Sequence, residues 1–143
     1  MNDLDLAMNR LNQNNLSMVF VRKGKIIFES NTNGLSPFIQ SINKHFQDIK
    51  ESTLADKVVG KAAALLVVYA KINSVFASIL SLEAAKILEY NRIPYKYDKM
   101  VDRIVNRQGT DLCPFEKKVS ATSNPTEAFQ CIEEMIRLLE TGQ

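Results

Sequence analysis

The most apolar part of the chain opens with Asp56-Lys57-Val58-Val59-Gly60-Lys61-Ala62-Ala63-Ala64. From residue 58 onward, apolar side chains recur at a spacing that suits one face of a helix. A wide apolar face of this kind is typical of a largely buried helix. We therefore predict a helix over residues 55–69, after a polar link over residues 50–54. Its apolar face consists of Val58, Val59, Ala62, Leu65, Leu66 and Tyr69.

The chain before this helix predicts one helix, a β-hairpin and a second helix. Apolar residues at helical spacing over residues 3–11 predict the first helix. Residues 16–21 and 25–29 are apolar runs separated by a short Lys-Gly turn, so we predict a β-hairpin. Ser36 and Pro37 favour the start of a helix, with Ser36 as its cap.

The chain after residue 70 alternates strands and helices. We predict strands over residues 73–79 and 95–98, with a helix between them that Ser81 caps. Cys113-Pro114 and Asn124-Pro125 each favour a further helix start. Helices that alternate with strands after a hairpin predict an α/β fold. We expect one domain over residues 1–143, a three-layer α-β-α sandwich around a mixed sheet of about four or five strands.

Composition excludes several classes of protein. The 143 residues are 45% hydrophobic and 24% charged, as in a soluble globular domain. The net charge of +2 provides no basic surface for nucleic acid. The acidic start resembles no signal peptide, and the apolar run over residues 62–70 is shorter than the ~20 residues that span a bilayer. We therefore expect a cytoplasmic protein that binds neither a membrane nor nucleic acid, and the sequence leaves a homo-oligomer open.

The stretch from Asp56 to Lys61 is the first candidate site. On the predicted helix, Lys57, Gly60 and Lys61 share one face, and Asp56 lies near the helix start. Glycine inside a helix costs ~1 kcal/mol relative to alanine, so a close backbone or ligand should compensate for Gly60. Two lysines beside it would hold an anion. The structural alternative is that Gly60 only permits tight helix packing while both lysines are solvated.

Residues 106–116 form the second candidate site. Pro114 suits a first helical position, which makes Cys113 the cap residue, and a thiol at a helix start is a candidate nucleophile. Glu116 has the spacing of a capping box, in which it returns to the cap amide. Arg107 and the free amides of this turn would bind an anion. The alternative is an inert Cys113 in a well-capped loop, as we expect for Cys131 within the last helix.

Two cysteines and one histidine restrict metal chemistry. Catalytic zinc needs about three protein ligands and a water. These three side chains would all have to converge, although Cys131 belongs to the core-facing side of its helix. We therefore predict no metal site and no cofactor.

The two candidate sites together resemble a bacterial family called domain of unknown function 1893. This resemblance implies a cytidine-deaminase-like fold, a mixed sheet with helices on both sides, and no established activity. Zinc-dependent deaminases carry His-x-Glu or Cys-x-Glu at one helix start and Pro-Cys-x-x-Cys at another. Here Gly60-Lys61-Ala62 stands at the first helix and Cys113-Pro114 reverses the second motif. Zinc-dependent deamination is therefore not expected.

These observations favour a metal-free protein that binds a small anionic ligand such as a nucleotide. In that hypothesis the cations supply charge, Gly60 permits close approach, and Cys113 is the nucleophile of any chemistry that follows. The alternative is a non-catalytic interaction or regulatory domain. The candidate ligand-binding residues are Lys57, Gly60, Lys61, Asn106, Arg107, Cys113 and Glu116, and the candidate catalytic residues are Cys113, Lys61 and Asp56.

Overall fold

The computed structural model describes residues 2–141 and contains five strands and six helices within that range. The strands are β1 (Met18–Arg22), β2 (Lys25–Ser30), β3 (Thr53–Val59), β4 (Ser74–Ser81) and β5 (Tyr95–Val101). The helices are α1 (Asp3–Gln13), α2 (Ser36–Ile49), α3 (Lys61–Tyr69), α4 (Leu82–Tyr90), α5 (Pro114–Lys118) and α6 (Pro125–Glu140).

All five strands belong to one mixed sheet in the order β2-β1-β3-β4-β5. The N-terminal hairpin supplies the antiparallel part, because β1 pairs antiparallel with both β2 and β3. Strands β3, β4 and β5 are parallel, and helices connect them. The mixed sheet and its N-terminal hairpin confirm the prediction from the sequence.

Helices cover both faces of the sheet. Helix α1 buries Ala7 and Leu11 against Val19, Ala55 and Phe76 on one face. The larger core lies on the other face, where α2, α3, α4 and α6 pack. Helix α3 is buried almost all round because Ala62 through Val67 contact either the sheet or the neighbouring helices. This arrangement confirms the three-layer α/β sandwich.

The helix predicted over residues 55–69 is wrong in its first half. Residues 53–59 form β3, Gly60 is the cap residue, and α3 begins only at Lys61. Ala55 pairs with Val19 on one side and Phe76 on the other, so the strand lies in the centre of the sheet. The buried residues Leu54, Ala55 and Val59 of this strand do not alternate strictly, as is common in a central strand, so their pattern merges with that of the following helix.

The helix starts downstream follow their local signals closely. The side chain of Ser81 accepts a hydrogen bond from the amide of Ala84, which confirms its predicted role as a cap. The helix start predicted at Asn124-Pro125 is also confirmed, and there the side chain of Asn124 accepts a hydrogen bond from the amide of Glu127. At α2 the cap residue is Leu35 rather than Ser36, and no side chain caps that helix.

No helix between residues 2 and 141 is both long enough and apolar enough to cross a membrane.

Candidate functional site

A pocket of about 690 Å³ lies at the carboxyl end of β3. In open α/β sheets, ligands bind outside the carboxyl ends of the parallel strands, near a point where the strand connections change direction. Here β3 has a parallel neighbour on one side and the antiparallel β1 on the other. The volume is within the usual range for small-molecule sites.

Both sequence motifs line this pocket. One wall consists of the end of β3 and the start of α3, and a second wall consists of residues 104–108 and 113–116. The start of β1 and residues 33–35 complete the lining. Most of the lining surface is apolar; the large apolar side chains include Met18, Leu35, Val58, Ile104 and Phe115.

The carboxylate of Glu116 binds the N-terminus of α3. Its Oε1 accepts a hydrogen bond from the amide of Lys61 and its Oε2 accepts one from the amide of Ala62, both at 2.8 Å. The capping box predicted for Glu116 is therefore wrong, because the side chain caps α3 instead of its own helix. Burial raises the pKa of the Glu116 carboxyl, and the two amides oppose that rise.

Gly60 makes this contact possible. A Cβ at residue 60 would lie 2.7 Å from Cδ of Glu116 and 2.7 Å from Cγ1 of Ile104, closer than carbon atoms normally approach. The prediction that Gly60 lies inside a helix is wrong, since Gly60 precedes α3. The reason for a glycine is the close approach of the Glu116 side chain at the pocket wall.

Asp56 lies on β3 and brings a second carboxyl to the pocket. Part of its side chain is exposed, but protein atoms surround the carboxyl closely, and burial raises its pKa to about 7. The opposing contributions are hydrogen bonds from the amides of Val58 and Lys57. A group that titrates near neutral pH can donate or accept a proton, as a general acid or base must.

The two lysines of the first motif direct their charges elsewhere. Lys57 lines the pocket, but its Nζ donates a hydrogen bond to Oδ1 of Asn15 at 3.0 Å. Lys61 is not part of the lining; its Nζ donates to the carbonyl of Ser120 at 3.2 Å and lies 3.8 Å from Glu83. The structure therefore does not bring Lys61, a candidate ligand-binding and catalytic residue, into this pocket. Its role in the structure is to tie α3 to the end of α5.

The loop between β5 and α5 has its own internal structure. The side chain of Asn106 is committed to a turn, because its Oδ1 accepts from the amide of Thr110 and its Nδ2 donates to Oγ1 of the same residue. Asp111 and Lys117 form an ion pair that joins the loop to α5. Arg107 is exposed at the pocket rim and takes part in none of the salt bridges within residues 2–141.

The two cysteines have different positions. Cys113 is a half-buried free thiol in the pocket wall, directly before α5. Cys131 is also free and half-buried, but it belongs to α6, outside the pocket lining. Among the described residues, no group of three histidine, cysteine, aspartate or glutamate side chains is arranged to hold a metal ion.

Sequence reasoning missed the apolar half of the pocket. Met18 lies directly beside Asp56 in the pairing of β1 with β3, and Leu35 and Phe115 line the cavity. Nothing local distinguishes these side chains from core residues. The sequence feature that could have located this part of the pocket is β3. If the residues before Gly60 are recognised as a strand, Asp56 lies in the sheet beside β1.

The fold and the site define an α/β sandwich with an apolar pocket at the carboxyl end of a central strand. The sequence profile of the family described as domain of unknown function (DUF1893) matches residues 6–136, so the chain belongs to that family. Its structure is similar to the crystal structure of a DUF1893 family protein from Thermotoga maritima, with 28% identity and a TM-score of 0.81 over 92% of this chain and 88% of that one.

A more distant similarity is to a diaminohydroxyphosphoribosylaminopyrimidine deaminase/5-amino-6-(5-phosphoribosylamino)uracil reductase, also from Thermotoga maritima. There the identity is 18% and the TM-score 0.44, over 73% of this chain and 34% of that one. No curated protein matches the chain.

Proposed function

We propose that the pocket at the carboxyl end of β3 binds a small ligand with an anionic group, such as a nucleotide. The observation that supports this is one cavity lined by both sequence motifs, largely apolar inside and with Arg107 at its rim. Small-molecule sites characteristically combine an apolar lining with a few polar groups that fix the ligand's orientation.

Arg107 is the cation best placed to meet the anionic group. Lys57 and Lys61 direct their ammonium groups to Asn15 and to Ser120, whereas Arg107 enters none of the salt bridges of residues 2–141. Guanidinium binds carboxylate and phosphate through parallel hydrogen bonds, which suits this role. The apolar part of the ligand would then lie against Phe115 and its apolar neighbours.

The start of α3 is not the anion site of this proposal. A helix N-terminus ordinarily attracts an anion, but the carboxylate of Glu116 already accepts hydrogen bonds from the amides of Lys61 and Ala62. A ligand phosphate there would have to displace Glu116 and separate the two pocket walls. The anionic group therefore belongs at the rim.

Cys113 gives the same pocket a nucleophile, which supports a proposal of thiol-dependent chemistry on the bound ligand. Its half-buried sulfur is part of the wall that also holds Glu116. Lys61, the helper suggested by the sequence, faces away, so Asp56 is the remaining candidate for moving a proton. A variant that binds ligand normally but lacks Cys113 would separate binding from chemistry.

Native mass spectrometry of the purified protein tests for a retained small molecule. Calorimetric titration with AMP, CMP, GMP and UMP then tests anion recognition against the corresponding nucleosides. Losing a charge-assisted hydrogen bond costs ~1.5–3 kcal/mol, so Arg107→Ala should weaken nucleotide binding at least about 10-fold. The matched control is Arg137→Ala, which removes the same charge from α6 outside the pocket.

Two results would count against the proposal. Equal binding of nucleotides and nucleosides would remove the anion site at Arg107. No retained molecule and no binding of either class would favour the alternative, a non-catalytic interaction or regulatory domain.

A further inference from the structure

The inner wall of the pocket carries a carboxyl group whose hydrogen-bond acceptor positions are only partly filled by other groups of the protein. Asp56 lies in the central strand β3, between Met18 of β1 and Ala77 of β4 in the sheet. Both neighbours are apolar and offer no side-chain hydrogen bond. Asp56 is part of the pocket lining, so its carboxyl is a polar group of the pocket in an otherwise apolar region of the sheet.

Backbone amides are the donors that reach this carboxyl. Oδ1 accepts from the amide of Val58 at a long 3.3 Å, and the nearby amide of Lys57 also favours the ionised form, although it donates its own hydrogen bond to the carbonyl of Ser17. An ionised carboxylate offers about four acceptor positions, so at least two remain open. Within residues 2–141, no salt bridge includes Asp56.

The charged groups around the pocket do not neutralise Asp56. Lys57 directs its Nζ to Asn15, and Arg107 lies at the exposed rim. Glu116 is a second acid, and each of its two oxygens accepts a hydrogen bond from an amide at the start of α3. The pocket is thus acidic on its inner wall and basic at its rim, an asymmetry that the sequence alone does not predict.

We propose that Asp56 forms a subsite for a nitrogen that donates hydrogen bonds, an amidine or an amino-substituted ring, at the inner wall of the pocket. This inference rests on the proposed function, since it assigns the opposite end of the same ligand. The ligand is then dipolar: its donor nitrogen meets Asp56, its apolar body lies beside Phe115, and its anionic group meets Arg107. An acceptor group in place of the nitrogen would face the oxygens of the ionised Asp56 carboxylate without a donor, which is unfavourable in an apolar pocket.

Three probes of nearly equal size separate charge from shape. Benzamidine donates two hydrogen bonds and is cationic, benzamide is neutral, and benzoate is an anionic acceptor. Titrations followed by the amide NMR signals of Val58 and Gly60 at pH 7.5 should show benzamidine binding beside Asp56 at least about 10-fold more tightly than benzoate, because charge-assisted hydrogen bonds are the stronger kind. Benzamide should lie between them.

The variant Asp56→Asn tests the carboxyl itself and should reduce benzamidine binding at least about 10-fold, since it removes the charge and half of the acceptor capacity. The matched control Asp98→Asn changes an exposed residue of β5 outside the pocket and should leave binding unchanged. If Asp56→Asn does not fold, the wild-type protein still decides the matter. Benzamidine must then shift the amide signals of Val58 and Gly60 more than those of β5.

Three results would each overturn the subsite: benzoate that binds beside Val58 and Gly60 as tightly as benzamidine does, unchanged benzamidine affinity in Asp56→Asn, or shifts confined to β5. Benzoate bound at Arg107, by contrast, would shift the signals of residues 104–108 and would agree with both proposals. These outcomes are distinct from failure of the proposed function. Benzamidine binding that depends on Asp56, without any binding of nucleotides, would leave the subsite in place and remove the anion site. Nucleotide binding that depends on Arg107 but not on Asp56 would do the reverse.

Discussion

The carboxylate of Glu116 lies against Gly60 and accepts hydrogen bonds from the two amides that follow it, those of Lys61 and Ala62. This contact joins the two unusual motifs of the chain. Its two residues, Lys61 and Glu116, are separated by 55 positions in the sequence. It closes one side of the pocket and caps a helix at the same time. Disturbing either residue should therefore affect both stability and the shape of the pocket.

Gly60→Ala should destabilise the protein. The added Cβ would lie 2.7 Å from Ile104 as well as from Cδ of Glu116, and an extra carbon in a tightly packed place costs ~1–3 kcal/mol. Urea unfolding of the variant measures the loss. In a Glu116→Ala background the same substitution should cost less, because one of the two clashes is gone. Additive losses would show that Gly60 and Glu116 do not interact.

Glu116→Ala should destabilise the start of α3 by ~1–2 kcal/mol, the usual cost of removing a side-chain cap. Two amides would lose their partners in a partly buried place. Hydrogen exchange should show faster exchange at Lys61 and Ala62 than in the wild type. Glu134→Ala, an exposed position on α6, is the control and should leave both amides unchanged. Unchanged protection in Glu116→Ala would contradict this helix-capping role.

The hairpin and the later helix starts could be predicted because their signals are local. Ser81 and Asn124 each bond to an amide three residues ahead, so sequence spacing was sufficient. Strand β3 was missed because its apolar residues, of which Leu54, Ala55 and Val59 are buried, do not alternate strictly and continue the pattern of α3. Periodicity alone does not separate a short buried strand from a buried helix.

The sequence predicted which segments line the candidate site better than it predicted where their side chains point. The residue spacing suggested that Glu116 caps its own helix. In the fold, its carboxylate instead accepts a hydrogen bond from the amide of Lys61, which is far away along the chain. The direction of Lys61 depends on Ser120 and Glu83, which tertiary packing alone brings near. No pattern within one segment contains that information.

The stability of the protein should fall as pH rises from 5 to 8, because of Asp56. Burial raises the pKa of this carboxyl to about 7, from an ordinary value near 3.8. The folded state thus holds a proton that the unfolded state has released, so the stabilisation is present below the unfolded value and is lost as pH approaches 7. Glu116, whose pKa is also raised, contributes in the same direction.

The size of this effect follows from proton linkage. Each pH unit between the folded and unfolded pKa values is worth ~1.4 kcal/mol, and we expect about 2 kcal/mol over the range because the side chain of Asp56 keeps some contact with solvent. Urea unfolding at pH 5 and pH 8 measures it. Asp56→Asn should be more stable than the wild type at pH 8 and should flatten the pH profile, whereas Asp98→Asn should not. A wild-type profile that rises between these pH values would be incompatible with a raised pKa at Asp56.

Cys113 should be alkylated faster than Cys131. Both thiols are half-buried, so overall exposure does not favour either of them. Cys113, however, is part of the pocket lining, where a small reagent can reach its sulfur. Cys131 lies within α6, beside the buried Ala128 and Ile132.

Iodoacetamide labelling of Cys113→Ser and Cys131→Ser, followed against pH by mass spectrometry, compares the two thiols one at a time. A molecule held in the pocket should slow the labelling of Cys113 and leave Cys131 unaffected, since only Cys113 is part of the lining. Benzamidine at a saturating concentration serves as that molecule if it binds at Asp56. Equal labelling rates, or a faster Cys131, would remove the nucleophile from the pocket and leave a binding site without thiol chemistry.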